Sequence, residues 1–172
     1  SKFYKLTLNK GNIAISLKEE ITQVSLYVKL QNMRYQDKIE FIIDVPDEMM
    51  DYEIPKLVLQ PLVENAIMHG IFEKEEKMGT ILITGWLEDE VLVLIVSDDG
   101  VGISEDKLKI ILTGAGESIS GSNIGIYNTH ERLQLFYNNT DFGLAYSSDE
   151  GNGTEVEIKI PAKKISIQNI PG

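Results

Sequence analysis

The run Val91–Val96, in which six consecutive residues are apolar, constrains the fold more than any other part of this sequence. Because the run is apolar on both faces and rich in β-branched residues, we expect it to form a strand near the centre of a sheet. The predicted strand covers Glu90–Ser97 and follows a second predicted strand, Thr80–Leu87. The rest of the chain then has to extend or cover this sheet.

The other predicted strands alternate apolar and polar residues, which is typical of a sheet with one face in water. They are Lys38–Val45 and a hairpin of Gly143–Ser148 and Thr154–Ile160. Apolar residues at helical spacing predict four helices, at Ser16–Tyr35, Pro61–Phe72, Ser104–Leu112 and Ile124–Tyr137. Because the elements lack a repeating βαβ order, we expect the α+β class, a two-layer α/β sandwich with helices on one face of a mixed, mostly antiparallel sheet.

The composition excludes several classes of function. With 172 residues, the chain has the length of one domain with a substantial core. Its net charge of -11 repels nucleic acid and anionic membranes, so we expect neither as a partner. The absence of cysteine excludes disulfides, thiolate zinc sites and a cysteine nucleophile. No apolar run approaches the roughly 20 residues that span a bilayer, and we expect no signal peptide in residues 1–20.

A carboxylate and two glycines follow the central strand, in the order Asp98-Asp99-Gly100-Val101-Gly102. An ionised carboxylate only accepts hydrogen bonds, so Asp98 suits the exocyclic amine of adenine and repels the oxygen that guanine presents there. Gly100 and Gly102 allow a ligand or another backbone segment to come close. The alternative is a simple turn, because Asp-Gly is a turn signal and short glycine motifs often occur by chance.

The predicted helix Pro61–Phe72 places Pro61, Asn65 and His69 on one face, since residues four apart are neighbours on a helix. The amide oxygen of Asn65 is a hard, neutral ligand of the kind that suits Mg²⁺. Taken singly, Asn65 is equally consistent with a solvated face, and His69 with an interaction at the C-terminal end of the helix dipole.

Two glycine-rich segments complete the candidate site. Thr113–Asn123 is rich in Gly and Ser and is predicted to be a mobile loop that leads into the helix at Ile124. Free N–H groups and the positive dipole at such a helix start bind phosphate, although an ordinary capped helix has the same pattern. Gly151-Asn152-Gly153-Thr154 by itself indicates no more than a hairpin turn.

Taken together and in this order, the four segments resemble the N, G1, G2 and G3 boxes of the GHKL ATP-binding superfamily, over residues 55–161. Within it the sequence is similar to bacterial sensor histidine kinases, and most of all to the short-lid subgroup that includes autolysis-regulating sensors. Two segments carry this similarity, Gln60-Pro61-Leu62-Val63-Glu64-Asn65-Ala66-Ile67 and Asn128-Thr129-His130-Glu131-Arg132-Leu133. The order and spacing of four boxes are harder to meet by chance than any single box.

The resemblance implies ATP and Mg²⁺ as ligands and gives each candidate residue a role. It places Asp98 on the adenine, Asn65 on Mg²⁺ and His69 beside the nucleotide. It gives Glu64 a catalytic role, either at the γ-phosphate or on the metal through water. The remaining implied nucleotide-binding residues are Gly100, Gly102, Ile103, Asn123, Gly125, Ile126 and Thr154, with Thr113–Asn123 as the lid.

Two departures from the superfamily pattern bear on the expected reaction. In the gyrase, MutL and chaperone members, a Glu four residues before the magnesium Asn acts as the base for water, whereas Pro61 stands there in this chain. Pro61 therefore favours transfer of phosphate to a protein side chain over simple hydrolysis. The G2 box of the superfamily begins Gly-x-Gly, and Asn123 replaces its first glycine. Asn tolerates a positive φ better than most residues do.

The resemblance also implies partners that this chain does not contain. The two histidines, His69 and His130, do not occur in the context of a phosphoacceptor. We expect residues 1–36 to be the end of a dimerisation and linker helix region, 37–162 to be the catalytic ATP-binding domain, and 163–172 to be a tail. The whole protein is then expected to be a membrane-bound homodimer with this domain in the cytoplasm of a bacterium, a phosphoacceptor helical domain upstream, and a response regulator as its partner.

Two alternative functions remain open at this point. The first is an ATP-binding regulatory module without phosphotransfer, which the substitution at Asn123 supports. The second is an interaction domain that binds no nucleotide, which requires all four boxes to be accidental.

Overall fold

The structure, a computed structural model, describes residues 13–113 and 121–166, with side chains for 13–112 and 128–166. Its strands are β1 Ala14–Ser16, β2 Ile39–Asp44, β3 Glu53–Pro55, β4 Gly79–Glu88, β5 Val91–Asp98, β6 Gly143–Asp149 and β7 Gly153–Pro161. Its helices are α1 Leu17–Tyr35, α2 Leu59–Asn65, a π-helical continuation Ala66–Ile71, α3 Glu105–Thr113 and α4 Gly121–Tyr137, with a short 3₁₀ turn at Asp47–Met49.

The main sheet has five strands in the order β2-β4-β5-β7-β6. Only the β2–β4 pair is parallel, and the other three pairs are antiparallel. Strand β5 lies in the middle, so the central position predicted from its apolar run is confirmed. The sequence did not predict a second, two-stranded sheet, in which β1 pairs antiparallel with β3.

The helices cover one face of the main sheet. On that face of β5, Leu92, Leu94 and Val96 are buried, and they belong to one core cluster with Leu17 of α1 and Leu133 of α4. On the opposite face Trp86 of β4 is 39% exposed. The predicted two-layer sandwich with a mixed, mostly antiparallel sheet is therefore confirmed.

Helix α1 begins and ends as its sequence indicates. Ser16 is the N-cap residue, and its hydroxyl accepts a hydrogen bond from the backbone N–H of Glu19 at 3.1 Å. Gln36 ends the helix in the left-handed conformation with φ of 63°. None of the described helices is both long and apolar enough to cross a membrane.

Two predicted boundaries are corrected. Helix α2 begins at Leu59, so Pro61 lies at its third position rather than at its start. Proline is accommodated there because the first four N–H groups of a helix have no intrahelical partner. At the predicted lid, Thr113 ends α3 and Asn123 already lies in α4, while 114–120 fall outside the described residues.

Candidate functional site

A cavity of about 380 Å³ opens where β5 and β7 meet the face of α2 and its π-helical continuation. Its volume is in the range of sites that hold small organic ligands. Six of the residues predicted for the site line it together, although they come from distant parts of the sequence: Asn65, His69, Asp98, Gly102, Ile103 and Thr154.

Asp98 is the last residue of β5 and is partly buried at the cavity wall. Its Oδ1 accepts a hydrogen bond from the backbone N–H of Gly100 at 2.8 Å, so the turn considered as an alternative does form. Burial raises the pKa of Asp98 to about 6, the N–H of Gly100 lowers it, the neighbouring charge of Asp99 raises it, and the N–H of Thr154 lowers it. Asp98 is thus a turn residue and a cavity residue at once.

Glycine is required at position 100 because another backbone segment passes very close to it. A Cβ atom at this position would overlap the main chain of Gly70, which lies in the π-helical segment. The backbone N–H of Val101 donates to the carbonyl of Gly70 at 3.1 Å. Gly100 itself does not line the cavity, whereas Gly70 and Gly102 do. Gly100 therefore allows the loop to pack against the π-helical segment, and Gly102 contributes to the cavity wall.

Asn65 and His69 both line the cavity from the α2 side, as their four-residue spacing predicts. His69 lies in the π-helical segment Ala66–Ile71, and π-helical turns are frequently found at functional sites. Glu64 does not join them, because its side chain is exposed and outside the cavity lining. Its charge acts instead on Tyr27 of α1, whose pKa is raised to about 12 by burial first and by Glu64 second.

Hydroxyl groups hold the β6–β7 hairpin against the loop that follows β5. The Oγ of Ser148 lies 2.8 Å from the Oγ1 of Thr154, and it accepts from the backbone N–H of Ile103 at 2.7 Å. The backbone N–H of Gly151 donates to the carbonyl of Val101 at 2.6 Å. Thr154 and Ile103 are in this way held at the cavity by a residue, Ser148, that sequence reasoning missed.

Sequence reasoning also missed three cavity-lining side chains with polar groups, the first of which is Glu73, two residues after the π-helical segment. Lys107, on helix α3, is the only lysine or arginine among the lining residues of the described chain. Tyr146, on β6, is the third. Alternation along β6 could have indicated Tyr146, because it shares a face with Ser148 and Leu144, two residues away on either side.

The donor set of the cavity suits a magnesium ion that takes its remaining ligands from phosphate and water. Asn65 offers an amide oxygen, and Mg²⁺ is usually bound through one or two protein oxygens rather than by an all-protein cage. The described residues contain no group of three or more His, Cys, Asp or Glu that could hold a metal.

The three candidate residues of the third box lie near the start of helix α4. Asn123, Gly125 and Ile126 are within its first two turns, and the helix begins at Gly121 rather than at Ile124. Their side chains fall outside the described part of the chain. Asn123 lies in a right-handed helix, which does not need a positive φ. The tolerance of asparagine for a positive φ is therefore not required at this position.

The fold and the cavity together are those of a class of ATP-binding domains. Residues 50–164 match the model of the family described as histidine kinase-, DNA gyrase B-, and HSP90-like ATPase. This match covers more than half of the chain, so the chain belongs to that family, and the superfamily predicted from the four boxes is confirmed.

Sensor kinases are among the relatives of this chain. It is 32% identical over 149 residues to the sensor histidine kinase YesM of Bacillus subtilis, covering 87% of this chain and 24% of YesM. It is 28% identical to the sensor protein kinase HptS of Staphylococcus aureus, covering 95% of this chain and 31% of HptS. The chain therefore spans about a quarter to a third of the length of these relatives.

Solved structures show the same fold. The catalytic domain of histidine kinase ThkA matches with a TM-score of 0.67 at 20% identity, over 87% of this chain and 96% of that one. The mycobacterial sensor histidine kinase MprB matches with a TM-score of 0.62 at 16% identity, over 88% of this chain and 97% of that one.

Proposed function

We propose that this chain is the catalytic domain of a sensor histidine kinase, which binds MgATP and transfers its γ-phosphate to a histidine on an upstream helical domain. The observation that carries the proposal is the single cavity that unites Asn65, Asp98, Gly102 and Thr154. These residues belong to three of the four boxes. The sensor kinases among the relatives of the chain indicate which reaction we expect in this cavity.

The proposed roles follow from the chemistry of each side chain. The ionised carboxylate of Asp98 accepts a hydrogen bond from the exocyclic amine of adenine. The ammonium group of Lys107 attracts the phosphates, which the net charge of -11 would otherwise repel. Glycines Gly102 and Gly125, with Ile103, Asn123 and Ile126, contact the nucleotide along its length, and His69 lies beside it.

Asn65 would hold Mg²⁺ through its amide oxygen, and the ion would supply neutralisation of the charge on the transferred group. In the transfer, a bond forms between an imidazole nitrogen of the acceptor and the γ-phosphorus. The bond from that phosphorus to the bridging oxygen breaks, and ADP leaves. Pro61 provides no carboxylate to activate water, which favours the protein acceptor. Glu64, being exposed, acts on the γ-phosphate or the metal only through water in this proposal.

The partners of the domain are part of the proposal. The relatives are about three to four times longer than the aligned segment, which leaves room for a phosphoacceptor helical domain and a sensor. We infer that the whole protein is a membrane-bound homodimer, that this domain lies in the cytoplasm, and that a response regulator receives the phosphate.

Calorimetric titration with ATP and with GTP in the presence of Mg²⁺ tests the nucleotide assignment. We expect ATP to bind, GTP to bind at least about 100-fold more weakly, and Asp98→Asn to weaken ATP binding by about 10- to 100-fold. Asp99→Asn is the matched control, because Oδ1 of Asp99 accepts from the N–H of Thr80 at 2.8 Å and Asp99 lies outside the cavity lining. Equal affinity for the two nucleotides would refute the role of Asp98.

A trans-phosphorylation assay tests the reaction. The chain is incubated with γ-labelled MgATP and the histidine-bearing helical domain of a related sensor kinase, and acid-labile label on the acceptor is measured. We expect labelling by the native chain and by Asp99→Asn, and strong loss of labelling with Asp98→Asn. An unlabelled acceptor at saturating MgATP would support a regulatory module that binds ATP without transferring phosphate.

A further inference from the structure

The hydroxyl group of Ser148 has three hydrogen-bonding neighbours at the edge of the cavity. Its Oγ accepts from the backbone N–H of Ile103 at 2.7 Å and donates to the carbonyl oxygen of Gly153 at 3.0 Å. Its third neighbour is the Oγ1 of Thr154, at 2.8 Å. Ser148 itself does not line the cavity, whereas Ile103 and Thr154 do.

The two backbone neighbours of Ser148 determine the direction of the third hydrogen bond. A hydroxyl group has one proton to donate and two lone pairs that accept. The carbonyl of Gly153 can only accept, so it takes the proton of Ser148, and the N–H of Ile103 occupies one lone pair. The second lone pair is left for the hydroxyl proton of Thr154. No other arrangement makes all three contacts hydrogen bonds.

Thr154 is also the direct neighbour of Asp98 in the sheet. Asp98 pairs with Thr154 across β5 and β7, and Thr154 pairs with Ser148 across β7 and β6, so the three side chains lie in one row on one face. The Cβ atoms of such paired residues are about 5 Å apart. A hydroxyl proton of Thr154 that Ser148 did not hold would therefore be within reach of the Asp98 carboxylate.

A second side-chain donor at Asp98 would compete with the ligand. Burial is the main influence on the pKa of Asp98 and raises it, while the N–H groups of Gly100 and Thr154 lower it as hydrogen-bond donors. Each further donor from the protein occupies a lone pair that the exocyclic amine of adenine would otherwise use. Binding of the amine is therefore stronger when the hydroxyl of Thr154 points away from Asp98.

We propose that Ser148 is a positioning residue for base recognition: its Oγ takes the proton of Thr154 and so keeps the Asp98 carboxylate available to the exocyclic amine of the nucleotide. This inference rests on the proposed function, because it takes Asp98 to bind the amine of adenine. Ser148 acts through Thr154 and Asp98 and does not touch the ligand.

Calorimetric titration with ATP and with purine riboside triphosphate, in which a hydrogen replaces the amine, tests the proposal. The ratio of the two dissociation constants measures what the amine contributes, and in the native chain we expect about 10- to 100-fold in favour of ATP. In Ser148→Ala the released proton of Thr154 turns to Asp98, so the ratio should fall by about 3- to 10-fold. In Ser148→Ala/Thr154→Val that proton is absent, and the ratio should return to the native value.

Ser147→Ala is the matched control and should keep the native ratio. Ser147 precedes Ser148 on β6, its side chain is exposed, and the alternation of the strand directs it to the opposite face. Partial unfolding lowers the apparent affinity for both nucleotides by the same factor, so the ratio separates the proposed role from a loss of stability. If Ser148→Ala does not fold, Thr154→Val alone decides: a native ratio supports the proposal, and a lower ratio overturns it.

The outcomes distinguish this inference from the proposed function. If Asp98→Asn abolishes the preference for ATP over purine riboside triphosphate but Ser148→Ala retains it in full, the role of Ser148 is refuted and the adenine site stands. A low ratio in Ser148→Ala that Thr154→Val fails to restore also refutes it. If the native chain binds no ATP, both the proposed function and this inference are overturned.

Discussion

Asp98 has a pKa of about 6 in the free protein, although the bound base requires its ionised form. We therefore predict that ATP affinity rises about tenfold between pH 5 and pH 7.5, as the ionised fraction of this carboxyl grows. Calorimetric titration across that range measures the effect. The phosphates of ATP titrate as well, so the same series on Asp98→Asn gives the background, and a pH dependence that Asp98→Asn leaves intact would contradict the prediction.

The same rise in the pKa of Asp98 affects the stability of the folded state in the opposite direction. The folded pKa of Asp98 lies above its unfolded value of about 3.9, so the protonated carboxyl favours the folded state. Its contribution is fully present below about pH 4 and is lost as the pH rises through about 6. Binding and stability at this residue thus oppose each other, which is typical of a carboxylate prepared for a ligand.

Gly100 is a residue at which a single added methyl group should destabilise the fold. We predict that Gly100→Ala lowers the free energy of unfolding by about 2–3 kcal/mol, because the new Cβ overlaps the backbone of Gly70. Gly151→Ala is the control: Gly151 has φ of 91° and nothing within 4 Å of its Cβ position, so only conformational strain of about 1 kcal/mol is expected. Urea denaturation compares them, and an equal loss in both variants would exclude the packing explanation.

At the scale of elements, helix α2 depends on a residue from helix α1. Its N-cap position is Val58, which has no side-chain cap. The buried carboxylate of Glu20 accepts instead from the backbone N–H groups of Leu57 at 3.3 Å, Val58 at 3.0 Å and Leu59 at 3.2 Å. Burial raises the pKa of Glu20, although these N–H groups and the charge of Arg132 lower it.

Helix α4 also contacts the start of α2, because the guanidinium of Arg132 donates a hydrogen bond to the carbonyl of Leu57. Helices α1 and α4 are both joined in this way to the start of α2, the helix that carries Asn65. The position of Asn65 at the cavity therefore depends on contacts made two turns away along α2.

We predict that Glu20→Ala lowers the free energy of unfolding by about 3 kcal/mol, since it leaves two buried N–H donors and one partly buried N–H donor without an acceptor. Glu19→Ala is the matched control in the same turn of α1, because Glu20 and not Glu19 accepts from these three N–H groups. Chemical denaturation measures both. A loss for Glu20→Ala no greater than for Glu19→Ala would show that the carboxylate does not support α2.

At the scale of the molecule, helix α1 is part of the same core as the sheet. Leu17, Val24 and Val28 are almost fully buried in the cluster that includes Leu94. We predict that a chain beginning at residue 37 loses cooperative thermal unfolding, whereas a chain of residues 13–166 retains it, because removal of α1 exposes this apolar surface. Calorimetry of the two chains checks this, and a cooperative transition in the shorter one would contradict it.

Periodicity in the sequence predicted much of the fold, including the central place of β5. The pattern did not predict the β1–β3 sheet, because strands of three residues are too short to show alternation. The cap of α2 by Glu20 was also missed, since it joins residues 37 to 39 positions apart. Local sequence patterns do not indicate contacts between residues so far apart along the chain.

The sequence predicted those residues of the candidate site that lie within the four boxes. The order of the boxes placed Asn65, Asp98 and Thr154 together, and the cavity contains all three. Lys107 and Tyr146 lie outside the boxes and enter the cavity only through the packing of α3 and the register of β6. The resemblance gave Glu64 a catalytic role, but adjacent helical residues point about 100° apart, and Glu64 lies outside the lining that contains Asn65.

The wall of the cavity at Gly70 and Gly102 consists of main chain, and neither position has room for a Cβ atom. A Cβ on Gly70 would lie 2.8 Å from Oδ1 of Asp98, and Gly102 has φ of 75°. An inhibitor that contacts this part of the wall would meet a surface that mutation can hardly alter. Resistance mutations at these two positions would damage the enzyme before they excluded the drug, so escape would have to come from elsewhere in the cavity.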